Sequence, residues 1–361
     1  VSNDRAMVLW KRHSPGYLIL LCFLLGGCAS TAASALEEYP EPPVRMLFGT
    51  DRNRTDATEP GKVFGFERGD VAYGVCTVSL PFDHRIGELE RPVFKEDSAE
   101  HVVLIDVCVY DRQAFFTEMQ GCVNRSVDKQ LLLFLHGYNM TFEKAAHNMA
   151  QIVADLGFEG CPVFYSWPSR GKVSGYPADE TSVRWSKNNL KKFLEDIAVK
   201  SGSKSIYLLA HSMGNRILTD AFLELIEERQ DLKRHFKALL LVAPDIDTGI
   251  FKRDIAEKLG RSGSFVTIYA SSEDKALKAS RRIHGFPRVG EVEGIPLIVP
   301  EIETIDATGV DTSFLGHSYF NRSRSVLSDI YYIINEDLQA DERFSLEAVD
   351  TTDGFYWRFK E

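Results

Sequence analysis

Ser212 stands in Ala210-His211-Ser212-Met213-Gly214, where an apolar run (206–210) stops and a helical pattern begins at once. A serine on so abrupt a strand-to-helix corner holds its Oγ clear of the backbone, where it can act as a nucleophile. The corner demands small neighbours, because the chain reverses sharply and the helix returns close to the strand. The usual pattern for this is G-x-S-x-G. Here alanine takes the first glycine place, a mild departure. The plainer reading of the pentapeptide is a serine that caps a helix.

A nucleophilic serine needs a base to take its proton and an acid to orient that base. In a parallel sheet with a serine corner the chain order is serine, then acid, then histidine. Three histidines follow Ser212. His235 lies in a charged segment and reads as solvated surface. His284 sits in the basic stretch ASRRIHGF and is the second candidate. His317, in the late polar segment LGHSYF, is the first. For the acid, Asp274 follows the run SFVTIYAS and precedes a helical pattern; Asp245 in APDID is the alternative. Aspartates there also suit helix caps. A tetrahedral oxyanion needs backbone donors. Met213 N–H, at the first turn of a helix, is one candidate, and the dipole of that helix favours negative charge. Tyr138 N–H, after the run 131–137 and next to Gly137, is the other. His136 and His211 read as hydrogen-bonded neighbours of the site rather than bases. Trp167 and Tyr176, in and after FYSWPSRG, are candidates for lining a substrate pocket, with ordinary core as the other reading of Trp167. Asp179 is placed to cap the helix it opens.

The elements that must position these residues can be read from hydropathy. The runs 44–48, 71–80 and 101–110 lack helical period and read as strands of a mixed or antiparallel N-terminal section. From Gln130 onward the rhythm changes. Apolar runs at 131–137, 162–167, 206–210, 238–244 and 264–271 alternate with helical patterns. One is capped by Thr141 and ended by Gly157, a second passes through Leu190 and Ile197, a third starts at Met213 and a short one lies near 250–259. Continuous apolar strands alternating with helices predict a mostly parallel sheet covered by helices on both faces. A last strand is expected at 295–300.

The N-terminal stretch reads differently. Lys11-Arg12 precede a short apolar run (17–25) and then Leu25-Gly26-Gly27-Cys28. That run is far below the ~20 residues a membrane-spanning helix needs. Small residues before a cysteine predict a lipoprotein signal over 1–27 and a lipidated Cys28. A small-residue and proline-rich tether follows (28–43), then a single domain over 44–361. Met7 gives a more usual signal length than Val1. Ala29 favours an outer-membrane address facing the periplasm. Four further cysteines, Cys76, Cys108, Cys122 and Cys161, suit an oxidising compartment; we expect Cys122–Cys161 and Cys76–Cys108 bonds, with the first pair just ahead of parallel strands. Their spacing fits no metal site, and no cofactor is called for. The chain has 361 residues, 44% hydrophobic and 26% charged, with a formal net charge of −10 and no long basic run, so nucleic acid is not an expected partner.

The segments HGYN, FYSWPSRG, LLAHSMGNR, APDID, YASSEDKAL and IDATGVD…LGHSYF, in this order, resemble a bacterial α/β-hydrolase family of unknown function within the esterase/lipase superfamily. The likeness runs from about Val44 to about Tyr319, and His136-Gly137-Tyr138-Asn139 is similar to the HG-x loops of lipases. It implies an α/β-hydrolase fold with Ser212 as nucleophile, Asp274 as acid and His317 as base. The expected substrate is a small-molecule or lipid ester. An acyltransferase and a non-catalytic envelope binding protein on the same fold are the alternatives. The N-terminal reading generates the first prediction. Cys28→Ser should abolish metabolic labelling with palmitate, and equal labelling of the variant would refute the lipid anchor.

Overall fold

The computed structural model describes residues 43–87, 89–90, 100–310 and 323–360. Their framework is one sheet of eleven strands in the order β10-β11-β9-β8-β7-β6-β4-β5-β1-β2-β3. Its parallel centre contains β4 (Gln130–Leu135), β5 (Cys161–Ser166), β6 (Ser205–His211), β7 (Phe236–Val242) and β8 (Phe265–Ala270). Strand β9 (Glu303–Asp306) extends it on one side and β1 (Val44–Arg54) on the other, both parallel to their inner neighbours. β2 (Phe64–Ser79) and β3 (Val103–Tyr110) continue from β1 as antiparallel strands. At the far end β10 (Leu346–Thr351) and β11 (Gly354–Phe359) form a hairpin whose second strand pairs with β9.

Helices cover both faces, which is why the central strands are apolar throughout. Leu131 to Leu135 are all buried. One core lies beneath α1 (Arg112–Arg125), α3 (Tyr176–Lys200) and α4 (Gly214–Glu228), together with the helical stretch between Thr248 and Gly260. The other lies beneath α2 (Phe142–Asp155), α5 (Lys275–His284) and α6 (Ser323–Asn335). Thr141 caps α2 by accepting from Lys144 N–H at 3.1 Å, and Gly157 adopts a left-handed φ of 52° just past its end. This is the α/β-hydrolase fold. No helix among the described residues is long and apolar enough to cross a membrane.

Three expectations need correction. The segment 295–300 is not a strand; the chain there makes only isolated bridges, and the strand follows at Glu303–Asp306. Two prolines in that segment, Pro296 and Pro300, lack the N–H a ladder needs. Cys122 and Cys161 are bonded, with Cα atoms 5.4 Å apart, but Cys122 lies within α1 rather than ahead of a strand. Cys76 and Cys108 are not bonded to each other. Cys76 stands opposite Val107 and Cys108 opposite Val75, so the two thiols project to opposite faces of the sheet.

One charged contact staples the segment after β2 to α2. His84 reaches Glu90 at 2.9 Å and Asp155 at 3.0 Å, one carboxylate on each ring nitrogen. Burial alone would lower its pKa, but the hydrogen bonds to Asp155 and Glu90 outweigh that and raise it to about 9. A raised folded-state pKa stabilises the fold fully below the unfolded value of ~6.5, and the contribution disappears as pH rises through the folded value. His84→Gln should therefore lower the urea midpoint at pH 6, and the two proteins should converge above pH ~9.5.

Candidate active site

Ser212, Asp245 and Asp274 follow the carboxyl ends of β6, β7 and β8 at one edge of the sheet. Strand β6 ends at His211 and α4 begins at Gly214, so Ser212 turns the chain between them. It does so with φ of 52°, a left-handed conformation that a residue bearing a Cβ rarely adopts. Backbone hydrogen bonds on both sides hold this strained turn. Ser212 N–H donates to Val242 O at 3.0 Å. Ser212 O accepts from Asn215 N–H at 3.1 Å, from Asp245 N–H at 3.2 Å and from the Asn215 amide side chain at 3.0 Å.

The loop after β4 packs against this corner with no room to spare. A Cβ on Gly214 would lie 2.5 Å from His136 O, and one on Gly137 would lie 3.0 Å from the Ser212 Cβ. Gly214 must be glycine because a side chain there would meet main-chain atoms, while a side chain at Gly137 would press on the Ser212 Cβ and force a neighbour to move. Met213 is the N-cap residue of α4, so its N–H lies in the first turn, where a helix has no carbonyl to offer its amides. Ala210, in the first position of the pattern, is fully buried between Leu135 of β4 and Leu241 of β7.

Asp274 lies four residues past the end of β8 and caps α5, accepting from Ala276 and Leu277 N–H through Oδ1, each at 2.9 Å. Tyr138, in the loop after β4, feels the charge of this residue. Burial, then the charges of Asp245, Asp179 and Asp274, push its pKa up, so it stays protonated at neutral pH. His317 lies outside the described residues, as does Cys28.

The alternatives to Asp274 and His317 are committed elsewhere. Asp245 accepts from the Tyr176 hydroxyl at 2.6 Å and from Arg216 at 2.9 Å on one oxygen. Its other oxygen accepts from Ser280 Oγ at 2.6 Å and meets Arg288 Nε at 3.0 Å. Burial would raise its pKa, but Arg216 and Arg288 prevail and lower it. His284 is held at both ring nitrogens, Nδ1 to Ser280 O at 2.7 Å and Nε2 to Glu180 at 2.8 Å. Together these groups tie α3, α4, the end of β7 and α5 into one polar cluster beside the site.

Tyr176 belongs to that cluster through its hydroxyl, and its ring meets Tyr138 edge to face at 5.1 Å. Trp167 takes another place than the exposed wall the sequence suggests. It is fully buried, stacks on His136 at 5.0 Å and donates its indole N–H to His136 O at 2.8 Å. It is backing for the loop. Asp179 likewise does not cap α3; its carboxylate accepts from Ser169 Oγ at 2.6 Å, Arg170 N–H at 2.7 Å and Asn139 N–H at 3.2 Å.

The residue that sequence reasoning missed is Arg52. Fully buried, it donates from Nε to Ser166 Oγ at 2.8 Å. Its two terminal nitrogens donate to Gly65 O at 3.1 Å, Ser169 O at 2.9 Å and Met140 O at 2.8 Å, and one lies 3.5 Å from His136 Nε2. Burial lowers its pKa to about 9, so it remains a cation at neutral pH. His136 must then be neutral; burial first and Arg52 second depress it to about 3. Its Nδ1 lies 2.7 Å from Gly137 O, a pure acceptor, so Nδ1 carries the proton and Nε2 accepts. Both loop histidines expected to be structural, His136 and His211, are buried. The available signal for Arg52 was the string TDRNR closing the first apolar run.

The chain belongs to a family described as alpha/beta hydrolases of unknown function (DUF900), whose profile matches residues 111–335. An uncharacterized protein of Nostoc sp. is 24% identical, with 42% of this chain and 54% of that protein covered; the chain thus spans about half the length of the curated relative it matches. Among solved structures, one from Bacillus subtilis assigned as a hydrolase is 10% identical, with a TM-score of 0.37 and coverage of 84% of this chain and 96% of that one. The naproxen esterase of the same organism is 11% identical, with a TM-score of 0.35 and coverage of 85% and 96%.

The loop geometry yields a stability prediction. Lysine offers three donors from a single nitrogen and cannot reach the same spread of acceptors. Arg52→Lys should cost roughly 2–4 kcal/mol in urea unfolding, because buried carbonyls lose partners. Ser166→Ala should cost about 1 kcal/mol. Equal midpoints for Arg52→Lys and the parent would show that the clamp is dispensable.

Proposed function

We propose that this protein is a serine hydrolase that cleaves carboxylic esters through an acyl-enzyme. The observation that carries the proposal is the left-handed corner at Ser212, packed against the Gly137 loop at the carboxyl edge of the sheet. Strain of roughly 1–3 kcal/mol at a non-glycine residue persists where the surroundings enforce it, and such positions concentrate at active sites.

In this mechanism Ser212 Oγ attacks the ester carbonyl while His317 takes its proton. His317 then protonates the leaving alcohol as the carbon–oxygen bond breaks. Asp274 orients the imidazole; its Oδ1 serves the helix cap, which aims the carboxylate. The amides of Met213 and Tyr138 hold the oxyanion at each tetrahedral stage. Water, deprotonated by His317, attacks the acyl-enzyme and restores Ser212. Tyr176 and the Tyr138 ring line the approach for the acyl or alcohol group. Placement in the bacterial envelope by a lipid on Cys28 is part of the same proposal, and the Cys122–Cys161 bond supports an oxidising compartment.

A fluorophosphonate probe should label the parent and not Ser212→Ala. Ser212→Ala and His317→Ala should each lower turnover of a short-chain aryl ester by several powers of ten, and the double variant little further, because the members act as a unit. Asp274→Asn should be severe and Asp245→Asn mild on a per-folded-molecule basis. Activity should decline below pH ~6.5 as the base becomes protonated. Full esterase activity in Ser212→Ala would end the proposal.

A further inference from the structure

A second concavity lies at the opposite edge of the sheet. It has a volume of about 630 Å³ and is lined from the amino ends of β8 and β9, the start of β11 and the segment leading into β9. Ser212 and Asp274 stand at the carboxyl ends, so this cavity is separate from the site above. Its origin is a mismatch of strand lengths. β9 has four residues against six in β8 and six in β11. β11 pairs with β9 only at Trp357 and Arg358, so Phe355, paired with Asp350 of β10 and level with the first residue of β9, has no ladder partner on the β9 side. The prolines of 295–300 keep that segment from filling the gap as a strand.

The lining has one chemical character. Its apolar part includes Phe265, Ile298 and an edge-to-face pair, Phe355 and Trp357, with centroids 5.7 Å apart. Phe355 is 54% exposed, more than folding needs of a large aromatic. Three exposed carboxylates, Glu301, Asp341 and Asp353, share the lining, and among the described residues no lysine or arginine does. The fourth acid, Glu303, is already paired with Arg343. Lys237 lies over the Phe265 ring and is paired with Asp337 at 2.9 Å. Glu301 adopts a left-handed φ of 60°, a conformation that disfavours side chains like its own. Thr304, 3% exposed, also lines the cavity and has a hydroxyl with no hydrogen-bond partner among the described residues.

We propose that this cavity binds small amphipathic organic cations, an ammonium or quaternary ammonium group on an aromatic or short alkyl body. Its volume falls in the range of small-molecule sites. Aromatic faces attract a cation through the ring quadrupole, and the carboxylates add a favourable field. An anion would meet three negative charges with no counter-charge on the lining. A neutral hydrophobe would gain the apolar contact alone.

The probe is benzyltrimethylammonium, titrated into the full chain at low salt, with bound probe measured by equilibrium dialysis. Saturable binding is expected, with benzyl alcohol about tenfold weaker and benzoate weaker still. Glu301→Gln with Asp353→Asn, both at exposed positions, should weaken the cation about fivefold or more and leave Ser212 labelling by a fluorophosphonate unchanged. Trp357→Phe should remove the accompanying change in tryptophan emission. Equal affinity for the cation and the alcohol would overturn the proposal. So would undiminished cation binding in the doubly neutralised variant, or no saturable binding.

Discussion

The close approach of two backbones, at Gly214 against His136 O and at Gly137 against the Ser212 Cβ, is the constraint on which the site depends. Gly214 leaves no room for a side chain, and Gly137 leaves very little. Together they set how near the β4 loop comes to the β6 corner. The left-handed φ of Ser212 follows from the same crowding. The chain must leave β6 and enter α4 within two residues while passing under that loop. A turn so strained survives because its N–H and C=O are bonded to Val242, Asn215 and Asp245, residues that belong to β7, α4 and the segment after β7.

Two charged assemblies keep the surroundings in place, and they use opposite strategies. Arg52 is a buried cation without a directly bonded carboxylate; it spreads its donors over three main-chain carbonyls and a serine hydroxyl drawn from β2, β5, the segment after β5 and the β4 loop. Its charge is dispersed over dipoles, which suits a fixed scaffold with no proton to exchange. It also keeps His136 neutral, so the loop carries a stacking ring instead of a second positive charge. On the other side, Asp245 is a buried anion flanked by two arginines and two hydroxyls. That arrangement saturates its oxygens. Of two aspartates at neighbouring strand ends, Asp245 is thereby built into the frame, while Asp274 caps α5 through Oδ1.

Much of the fold was legible because hydrophobic pattern and burial obey the same geometry. Strands β4 to β8 are apolar on both faces and bounded by turn residues. The helices between them carry apolar stripes, and Thr141 and Gly157 are the caps their types predict. Other elements were harder. Helix α1 buries Phe115, Phe116, Met119 and Val123, but Gly121 and polar neighbours dilute its stripe. Strand β9 is too short to show a period. Hairpin β10–β11 is only partly buried, and its first strand, LEAVDT, carries little apolar pattern. The segment 295–300 looked like a strand because composition is visible in sequence, whereas a missing ladder donor matters only once a neighbour must pair with it.

What the sequence alone determined is local. The small residues around Ser212, the order of serine, aspartate and histidine along the chain, and the alternation that builds a parallel sheet are all properties of neighbours, and backbone sterics translate them directly into structure. The tertiary structure decided what depends on contacts across distance. It tied Asp245 to arginines 29 and 43 residues away, buried Trp167 behind the loop rather than leaving it at a rim, and made Arg52 the clamp of a loop 88 residues further on. It also set Cys76 and Cys108 on opposite faces, since register decides which side of a sheet a residue meets. Burial and partner choice are set by the whole packing arrangement, and a charged or aromatic residue carries no mark in its own neighbourhood of which partner it will find.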